Sequence, residues 1–408
     1  MSPRWLACLG AVGLWACTSP HGTDVPDASA DAAPDFSVGA DGAGPDVGSD
    51  ADEIVYPSVF ERGPYNVGHR RFQVTYDAAL EPGREIKLVV WYPTLDTEGR
   101  AGTYLVSYSR REVFADATVA IEDEAPVLLF SHGNSALAEQ SYFMTEFWAS
   151  HGFVVAAPDH TGNTVYDLQG GVSFTSSDER PQDMSAALDF LYALPADDPL
   201  HGKISDDVVM TGHSFGGYTT LAVSGSGFAI DEVVEFCAQP NAPQQCEMLD
   251  EEGIEDVFRA GFLDERIDVA IPQAPGGFFF FQEYLSQIEI PSLVMTAARD
   301  GTLLPTQEAE PIWAAMTGRH MRLDFTNAGH FTFSNMCQLL PGFEMTQDDG
   351  CGESFIDPEL AFEIVNAYGL AFARYHLYRD TSNLDLLRGD EDPYAGEVVL
   401  SHKEYAKP

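Results

Sequence analysis

Residues 208–218 read Val-Val-Met-Thr-Gly-His-Ser-Phe-Gly-Gly-Tyr. A β-rich apolar run meets the pattern Gly-X-Ser-X-Gly, and the stretch that follows is compatible with a helix. A strand that turns this sharply into a helix leaves space only for small neighbours, which Gly212 and Gly216 provide on either side of Ser214. The pattern predicts a nucleophile elbow that presents the Ser214 hydroxyl at the carboxyl edge of a sheet, beside a helix N-terminus.

Outward from this turn, short β-like runs alternate with helical stretches from about residue 70 onward. The runs from Val127 onward are mostly continuous and apolar, as expected for parallel strands covered on both faces. The fold class is therefore α/β, with a mostly parallel central sheet flanked by helices. The predicted strands are Phe72–Tyr76, Ile86–Tyr92, Val127–Ser131, Phe153–Ala157, Val208–Thr211, Ile267–Ile271, Leu293–Ala297 and Met321–Phe325. The predicted helices are Glu139–Ser150, Arg180–Leu194, Phe215–Ser224 and Pro358–Tyr378.

One segment, Gly225–Glu265, interrupts the alternation between the helix after Ser214 and the next strand. It is acidic, contains a stretch rich in Pro, Asn and Gln, and holds two of the cysteines. The segment predicts a small insertion after the nucleophile helix. Two interpretations stay open for it, a lid over the site and an ordinary surface loop.

A serine hydroxyl is a poor nucleophile near neutral pH and needs an adjacent base. In proteins with this elbow the acid and the histidine follow the serine in that order along the chain. Asp300 follows an apolar strand in a turn, and His330 follows the last predicted strand directly after Gly329. Both should lie at the same sheet edge as Ser214. Asp324 is a weaker candidate for the acid because it falls inside a strand.

Hydrolysis through a serine also needs two N–H donors for the negatively charged oxygen of the tetrahedral intermediate. The residue after the nucleophile, Phe215, supplies one backbone N–H in this architecture. The other should come from the loop after the first central strand, which reads Phe130-Ser-His-Gly-Asn134. Gly133 allows that backbone to turn inward, so Asn134 is predicted to supply the second N–H.

The 408-residue chain carries 64 Asp and Glu against 21 Lys and Arg, a formal net charge of −43. The first 53 residues contribute only nine of the acids and one of the bases, so the rest of the chain is strongly negative as well. Such a surface repels phosphate backbones, and no basic stripe interrupts it. Nucleic acid is therefore excluded as a partner, and long polyanions are disfavoured as substrates.

The N-terminus has the pattern of an export signal. Arg4 precedes the apolar run Trp5–Trp15, which is shorter than the roughly 20 residues that span a bilayer. Residues 1–17 are therefore predicted to be a signal peptide, and its end resembles a bacterial lipobox in which Cys17 becomes lipid-modified. Trp15 departs from that pattern, so ordinary signal cleavage and an uncleaved membrane anchor stay open.

Residues 18–53 are mostly Asp, Ala, Gly and Pro, with almost nothing to bury. Such a segment cannot offset the entropy of ordering and is predicted to be an acidic disordered tether. Residues 54–408 then form one catalytic domain, which includes the insertion. The predicted localisation is an exported protein, either a bacterial membrane-anchored lipoprotein or a secreted one.

Four cysteines lie beyond the signal and the predicted tether, and an exported protein resides where disulfides persist. Close spacing favours Cys237–Cys246 and Cys337–Cys351, although four cysteines allow three pairings. A metal site is a weaker alternative, because no CxxC or HxxxH spacing accompanies them. The sequence predicts neither a metal nor a cofactor.

Five stretches resemble the bacterial predicted dienelactone-hydrolase family, which lies close to platelet-activating-factor acetylhydrolases and cutinase-like polyester hydrolases. They are FSHGNS at 130–135, SHGFVVAAPDHTGNT at 150–164, GHSFGGYT at 212–219, TAARDGTLLP at 296–305 and NAGHFTF at 327–333. The resemblance spans roughly residues 65 to 380. It implies an α/β-hydrolase fold and the hydrolysis of carboxylic esters through an acyl-enzyme.

Two departures qualify this resemblance. Dienelactone hydrolases use a cysteine nucleophile, whereas this chain has Ser214. Plasma-type acetylhydrolases carry their acid after the preceding strand, where this chain reads Ile271-Pro-Gln-Ala274 without a carboxylate. Asp300 is therefore the better acid, as in cutinase-like enzymes.

The expected function is that of a serine-dependent carboxylic ester hydrolase acting on short-acyl, lipid or polyester substrates. Its expected partners are a small-molecule or polymeric ester and, through the N-terminal lipid alone, a membrane. Two alternatives stay open, an amidase or peptidase with the same triad and a non-catalytic surface binding protein on a hydrolase fold.

Overall fold

The computed structural model describes residues 56–105, 108–167, 175–240, 242, 244–249, 251–340, 348–390 and 392–403. The predicted signal peptide and tether lie outside these residues. The described residues form eleven strands: β1 (Asn66–Tyr76), β2 (Arg84–Thr94), β3 (Ala101–Tyr104), β4 (Tyr108–Ala115), β5 (Ala125–Ser131), β6 (Val154–Asp159), β7 (Ile204–His213), β8 (Val269–Gln273), β9 (Ser292–Ala297), β10 (His320–Phe325) and β11 (Val398–Lys403).

All eleven strands belong to one sheet, in the order β11-β10-β9-β8-β7-β5-β6-β2-β1-β4-β3. The strands from β10 to β6 are parallel to one another, and antiparallel neighbours add β11 on one side and β2 with β1 on the other. The predicted mostly parallel α/β sheet is therefore confirmed.

Within the described residues, ten α-helices connect or flank the strands. They are α1 (Tyr142–Ser150), α2 (Glu179–Tyr192), α3 (Phe215–Val223), α4 (Ile230–Cys237), α5 (Ile254–Ala260), α6 (Phe278–Phe281), α7 (Ala309–Ala315), α8 (Met336–Leu339), α9 (Pro358–Tyr378) and α10 (Leu384–Arg388). Short 3₁₀ turns occupy Thr175–Ser177, Gln244–Leu249, Gln282–Gln287 and His330–Phe333. Within the described residues no helix is long and apolar enough to cross a bilayer.

The central strands separate two apolar cores, one on each face of the sheet. In β5, Leu128 and Phe130 enter the core that α1 and α9 cover, whereas Val127 and Leu129 enter the core that α2 covers. Successive side chains of a strand point to opposite faces, so a strand buried on both faces must be apolar at every position. This alternation explains why the central strands read as unbroken apolar runs.

Each of the eight predicted strands and four predicted helices has a counterpart, with boundaries that differ by up to six residues. Three strands, β3, β4 and β11, were not predicted. They lie at the two sides of the sheet, and their exposed faces carry polar residues in place of an apolar run. Strands at or next to a sheet edge owe their place to pairing with a neighbour more than to their own pattern.

The insertion 225–265 folds into α4, a 3₁₀ turn and α5. Phe228, Val233 and Phe258 anchor it in a third apolar cluster, which it shares with Tyr218 of α3 and Phe281 of α6. A disulfide between Cys237 and Cys246 closes the tip of this segment. Whether the segment acts as a lid stays a prediction.

Candidate active site

The predicted catalytic side chains follow neighbouring parallel strands. Ser214 comes directly after β7, Asp300 comes three residues after β9, and His330 comes five residues after β10. Strands β7, β8, β9 and β10 lie side by side and run in the same direction, so their carboxyl ends share one edge. This edge is where open α/β sheets place their binding crevices.

The three side chains form a continuous hydrogen-bonded chain. His330 Nε2 lies 2.9 Å from Ser214 Oγ, and His330 Nδ1 lies 2.7 Å from Asp300 Oδ2. His330 and Asp300 are buried, while Ser214 is partly exposed. Ser214 is thus open to solvent on one side and bonded to a shielded imidazole on the other.

The backbone at Ser214 has the strained geometry that the sequence predicts. Its φ is 60° and its ψ is −116°, a region that non-glycine residues rarely adopt. A Cβ at Gly212 would lie 2.4 Å from the Gly216 carbonyl oxygen, and a Cβ at Gly216 would lie 1.8 Å from that of Ser131. Both glycines are therefore required by backbone contacts.

The second oxygen of Asp300 is held by its own loop. Oδ1 accepts hydrogen bonds from the backbone N–H groups of Thr302, at 2.9 Å, and Leu303, at 2.6 Å. This leaves Oδ2 aimed at His330. Asp324, the weaker candidate, instead accepts a hydrogen bond from Thr296 within the sheet.

Two opposing effects act on the proton affinity of His330. Burial lowers the pKa of the imidazole, because the cation loses its hydration. The neighbouring Asp300 carboxylate, helped by the charge of Asp349, outweighs burial and raises the pKa of His330 above its ordinary value of 6.5. A stronger base next to Ser214 suits the removal of its proton.

A buried relay ties the loop after β5 to His330, and no sequence motif marked its first member, Gln140. The Gly133 N–H donates to Gln140 Oε1 at 2.6 Å, so the Gln140 side-chain amide must donate to His213 Nδ1, also at 2.6 Å. His213 then carries its proton on Nε2 and donates it to the His330 carbonyl oxygen at 2.8 Å. Burial lowers the pKa of His213 well below its ordinary value, which keeps the ring neutral.

This relay bears on the predicted oxyanion hole. The Gly133 N–H is occupied by Gln140, whereas the Asn134 N–H that follows has no acceptor among the described residues. The Phe215 N–H, in the first turn of α3, likewise has none there. Helix N-termini leave such N–H groups open to an anion. These two groups are the ones assigned to the oxyanion from sequence.

Arg180 of α2 stabilises the loop after β5, which contains Asn134. Its fully buried guanidinium donates to the carbonyl oxygen of His132 and, at 2.8 Å, to Asn163 Oδ1. Asn163 in turn donates to the Asn134 side chain at 2.8 Å. The guanidinium also lies 4.5 Å from the centre of the Phe215 ring. No sequence motif marked Arg180, since its partners are distant along the chain.

A second set of serine, histidine and aspartate lies behind the first. His160 bonds Ser131 Oγ at 2.9 Å and Asp183 at 2.8 Å, and all three side chains are fully buried. Asp183 also pairs with Arg84 at 2.8 Å. A substrate cannot reach a serine in this position. We therefore assign this set a structural role, next to the loop after β5 that contains Asn134 (the oxyanion loop).

The four consecutive phenylalanines after β8 differ in how deeply they are buried. Phe280 and Phe281 are buried and pack against Tyr218, while Phe278 and Phe279 are half-buried. Glu308, buried nearby, accepts a hydrogen bond from the Phe278 N–H at 2.8 Å, and burial raises the pKa of Glu308 to about 7. The run therefore serves packing at two of its four positions.

Within the part of the chain that the structure describes, no three His, Cys, Asp or Glu side chains are arranged to hold a metal ion. A groove of about 940 Å³ lies between β1, α2 and α5, and its lining includes Tyr76, Phe190 and Phe262 but none of the three catalytic candidates.

Both disulfides favoured by spacing are formed. Cys237 pairs with Cys246 in the insertion, and Cys337 pairs with Cys351 in the segment that follows His330. The first bond lies in a peripheral insertion. The second lies close to the catalytic edge, because the residues before Cys351 contact the loops of Asp300 and His330.

Comparison with known proteins bears on the family resemblance and on the fold. Residues 94–167 match the family described as platelet-activating factor acetylhydrolase, isoform II. Of 864 solved chains similar in fold, one is a ferulic acid esterase from Streptomyces cinnamoneus, with 20% sequence identity and a TM-score of 0.59. That match covers 82% of this chain and 96% of the esterase. No protein of curated function matches the sequence.

The family match covers the loop after β5, which contains Asn134, and it ends before Ser214. The match in fold extends over most of the chain. The chain is therefore an α/β hydrolase in fold, similar to platelet-activating-factor acetylhydrolases over residues 94–167.

Proposed function

We propose that this protein is a serine-dependent carboxylic ester hydrolase that acts through an acyl-enzyme. One observation carries the proposal. The Ser214 hydroxyl, partly exposed on a strained turn, is hydrogen-bonded to an imidazole that Asp300 orients, and two backbone N–H groups beside it have no acceptor among the described residues. This set of groups is what acyl transfer to a serine requires.

In the first half of the reaction His330 Nε2 accepts the Ser214 proton as Oγ attacks the carbonyl carbon of the ester. The N–H groups of Phe215 and Asn134 stabilise the resulting oxyanion. Asp300 keeps the His330 proton on Nδ1 and stabilises the imidazolium. The C–O bond to the alcohol then breaks, and the alcohol leaves with the proton from His330.

In the second half a water molecule takes the place of the alcohol. His330 removes a proton from the water as its oxygen attacks the acyl carbon, and the same N–H groups hold the second oxyanion. The bond to Ser214 Oγ breaks, and His330 returns the proton to the serine. The acid product leaves and the enzyme regains its starting state, with no cofactor consumed.

The proposed substrates are esters with short acyl chains, lipid esters or polyesters. The chain's similarity to acetylhydrolases over residues 94–167 favours an ester, and the ferulic acid esterase shares the fold. The strongly negative charge disfavours polyanionic substrates such as nucleic acids. Small neutral esters or uncharged polymers are therefore the best fit.

We also propose that the protein is exported and attached to a membrane by a lipid on Cys17. Its two disulfides suit an oxidising compartment, where they persist. The acidic tether 18–53 would then separate the lipid from the enzyme.

The decisive experiment measures hydrolysis of p-nitrophenyl esters from acetate to palmitate by residues 18–408, with Ser214→Ala as the matched control. We expect turnover that the substitution lowers by a factor of the order of 10⁴ to 10⁶. The preferred chain length would then define the acyl pocket. Turnover of anilides in preference to esters would identify an amidase. No turnover and no labelling by a fluorophosphonate would identify a binding protein.

A further inference from the structure

Asp349 is a buried acid that the proposed mechanism does not use. It lies between α8 and α9, and only 9% of its surface is exposed. Among the described residues, no Lys, Arg or His side chain forms an ion pair with it. A carboxylate buried without a cation is costly unless several hydrogen bonds satisfy its oxygens.

Those hydrogen bonds come from two different loops. The Gly301 N–H lies 3.1 Å from both carboxylate oxygens, and the Thr302 hydroxyl donates to Oδ2 at 2.7 Å. The His330 backbone N–H donates to Oδ1 at 2.9 Å. In addition, the Asp349 carbonyl oxygen accepts a hydrogen bond from the Phe331 N–H at 2.8 Å. The side chain thus joins the loop after β9 to the loop after β10.

These two loops carry the members of the proposed catalytic pair. Gly301 directly follows Asp300, and the third donor is the backbone of His330 itself. Fixing both backbones to one carboxylate fixes the separation between Asp300 Oδ2 and His330 Nδ1, which is 2.7 Å. The same two loops are also joined before Asp300 and His330, where the Arg299 N–H donates to the Ala328 carbonyl oxygen at 3.0 Å and the Arg299 side chain donates to Asn327. Asp349 supplies the link after Asp300 and at His330 itself.

The surroundings of Asp349 are built for this close approach. A Cβ at Gly329 would lie 2.5 Å from the Asp349 carbonyl carbon, so only glycine fits before His330. The disulfide between Cys337 and Cys351 fastens the Asp349 segment to the segment that follows His330. The Asp349 segment is therefore attached to the His330 loop by a covalent bond as well as by hydrogen bonds.

We propose that Asp349 is a positioning residue, whose carboxylate clamps the Asp300 loop to the His330 loop and so holds the acid and the base in contact. The inference rests on the proposed ester hydrolysis, in which His330 is the base. It adds a fourth residue to the set, one that touches neither substrate nor the reacting atoms.

The charge of Asp349 has a second consequence. Among the described residues, the His330 ring is hydrogen-bonded to Asp300 and to the Ser214 hydroxyl and lies against the neutral His213 ring. The Asp349 carboxylate bonds the His330 backbone and acts on the ring through its charge. Both carboxylates raise the pKa of His330, while burial lowers it. Replacing Asp349 with a neutral residue should therefore lower the pKa of His330. A role in packing alone would leave that pKa unchanged.

The test compares three variants of the protein spanning residues 18–408. They are Asp349→Ala, Asp349→Asn and, as the control, Asp348→Asn at the adjacent exposed position. We expect Asp349→Ala to lower kcat roughly 10- to 100-fold with little change in KM, because the pair loses its alignment. Asp349→Asn keeps one acceptor oxygen, so its loss should be smaller. In Asp349→Asn the acidic limb of kcat/KM should move to lower pH, and Asp348→Asn should match the parent.

A second measurement does not depend on turnover. The low-field NMR resonance of the His330 Nδ1 proton reports the bond to Asp300, and Asp300→Asn assigns it. We expect this resonance to weaken in Asp349→Ala, and the His330 titration to move to lower pH in Asp349→Asn. An unchanged resonance and titration in both variants would overturn the clamp, even if the parent proved to be inactive on esters. Absence of Ser214-dependent turnover in the parent would overturn only the proposed function.

Discussion

The turn that carries Ser214 and the turns that carry its partners lie at one sheet edge but are held in different ways. Ser214 is fixed by its own neighbours, since Gly212 and Gly216 admit the backbone contacts that force its φ to 60°. The loops of His330 and Asn134 are held by side chains from other elements. Asp349 bonds the His330 N–H, and Arg180 bonds the His132 carbonyl oxygen across 48 residues of chain.

The difference separates two kinds of constraint. A backbone held by steric contact has no alternative conformation of similar energy, so its geometry is set as soon as β7 and α3 form. A loop held by hydrogen bonds can move when one donor or acceptor is removed. Substitutions at the elbow should therefore act on folding and activity together, whereas those around the loops should act on activity first.

The largest effect on activity alone is expected for Asp300→Asn. An amide at this position favours the wrong His330 tautomer and cannot stabilise the imidazolium. The value of kcat should therefore fall by a factor of the order of 10³ to 10⁴. The matched control is Asp324→Asn, which should stay within a few-fold of the parent because Asp324 bonds Thr296 within the sheet. Steady-state hydrolysis of a p-nitrophenyl ester measures both. A reversed ranking would transfer the acid role to Asp324.

At the elbow, Gly216→Ala should remove activity by preventing the turn. The new Cβ would lie 1.8 Å from the Ser131 carbonyl oxygen, so strand or helix must shift. We expect a loss of at least about 3 kcal/mol in the free energy of unfolding, together with the loss of fluorophosphonate labelling. Gly99→Ala is the control, because its Cβ meets only a Phe114 side chain at 3.3 Å. Equal melting temperatures for the two variants would contradict steric control of the elbow.

For the oxyanion loop, Arg180→Met should lower kcat roughly 10- to 100-fold. The substitution removes the guanidinium that bonds the His132 carbonyl oxygen and Asn163 Oδ1, so the Asn134 N–H loses its fixed direction. KM should change less than kcat, since the oxyanion forms only during the reaction. The exposed ion pair of Arg259 with Asp231 supplies the control, Arg259→Met. A kcat equal to that of the parent in Arg180→Met would show that the loop after β5 keeps its conformation without the guanidinium.

The pH dependence of the parent enzyme follows from His330. Its pKa lies above the ordinary 6.5, and only the neutral ring can accept the Ser214 proton. The value of kcat/KM should therefore fall as pH decreases through a midpoint above 6.5. In Asp300→Asn the main charge that raises the pKa is gone, so the midpoint of the residual activity should move to lower pH. A midpoint well below 6.5 in the parent would contradict the influence assigned to the carboxylates.

The smallest effect on activity is expected at the two disulfides. Each closes a short loop, with sequence separations of 9 and 14 residues, and replacing either pair with serines should cost about 2 to 4 kcal/mol of stability. Replacing Cys337 and Cys351 should also lower kcat a few-fold, because the segment of Asp349 is loosened. Replacing Cys237 and Cys246 should leave kcat within about twofold, because among the described residues no hydrogen bond joins residues 225–265 to the loops of Asp300 and His330. Thermal unfolding and kcat, measured on both variants, separate these outcomes.

The sequence predicted the structure best where one short segment contains all the residues that determine the local conformation. The elbow at Ser214 requires small residues within four positions, and the central strands require unbroken apolar runs because both faces are covered. The chain order of Ser214, Asp300 and His330 then follows from the order of parallel strands. The pairing of cysteines was favoured by spacing because short loops are the easiest to close.

The sequence by itself thus determined the α/β sheet, the elbow and the three side chains that meet at its edge, since local sterics and strand burial leave few alternatives. Only the tertiary structure decided how the loops are held. Gln140 meets His213 across 73 residues, His213 meets the His330 carbonyl across 117, and Arg180 meets His132 across 48. A buried hydrogen bond depends on where the fold places donor and acceptor, and no pattern along the chain encodes that distance.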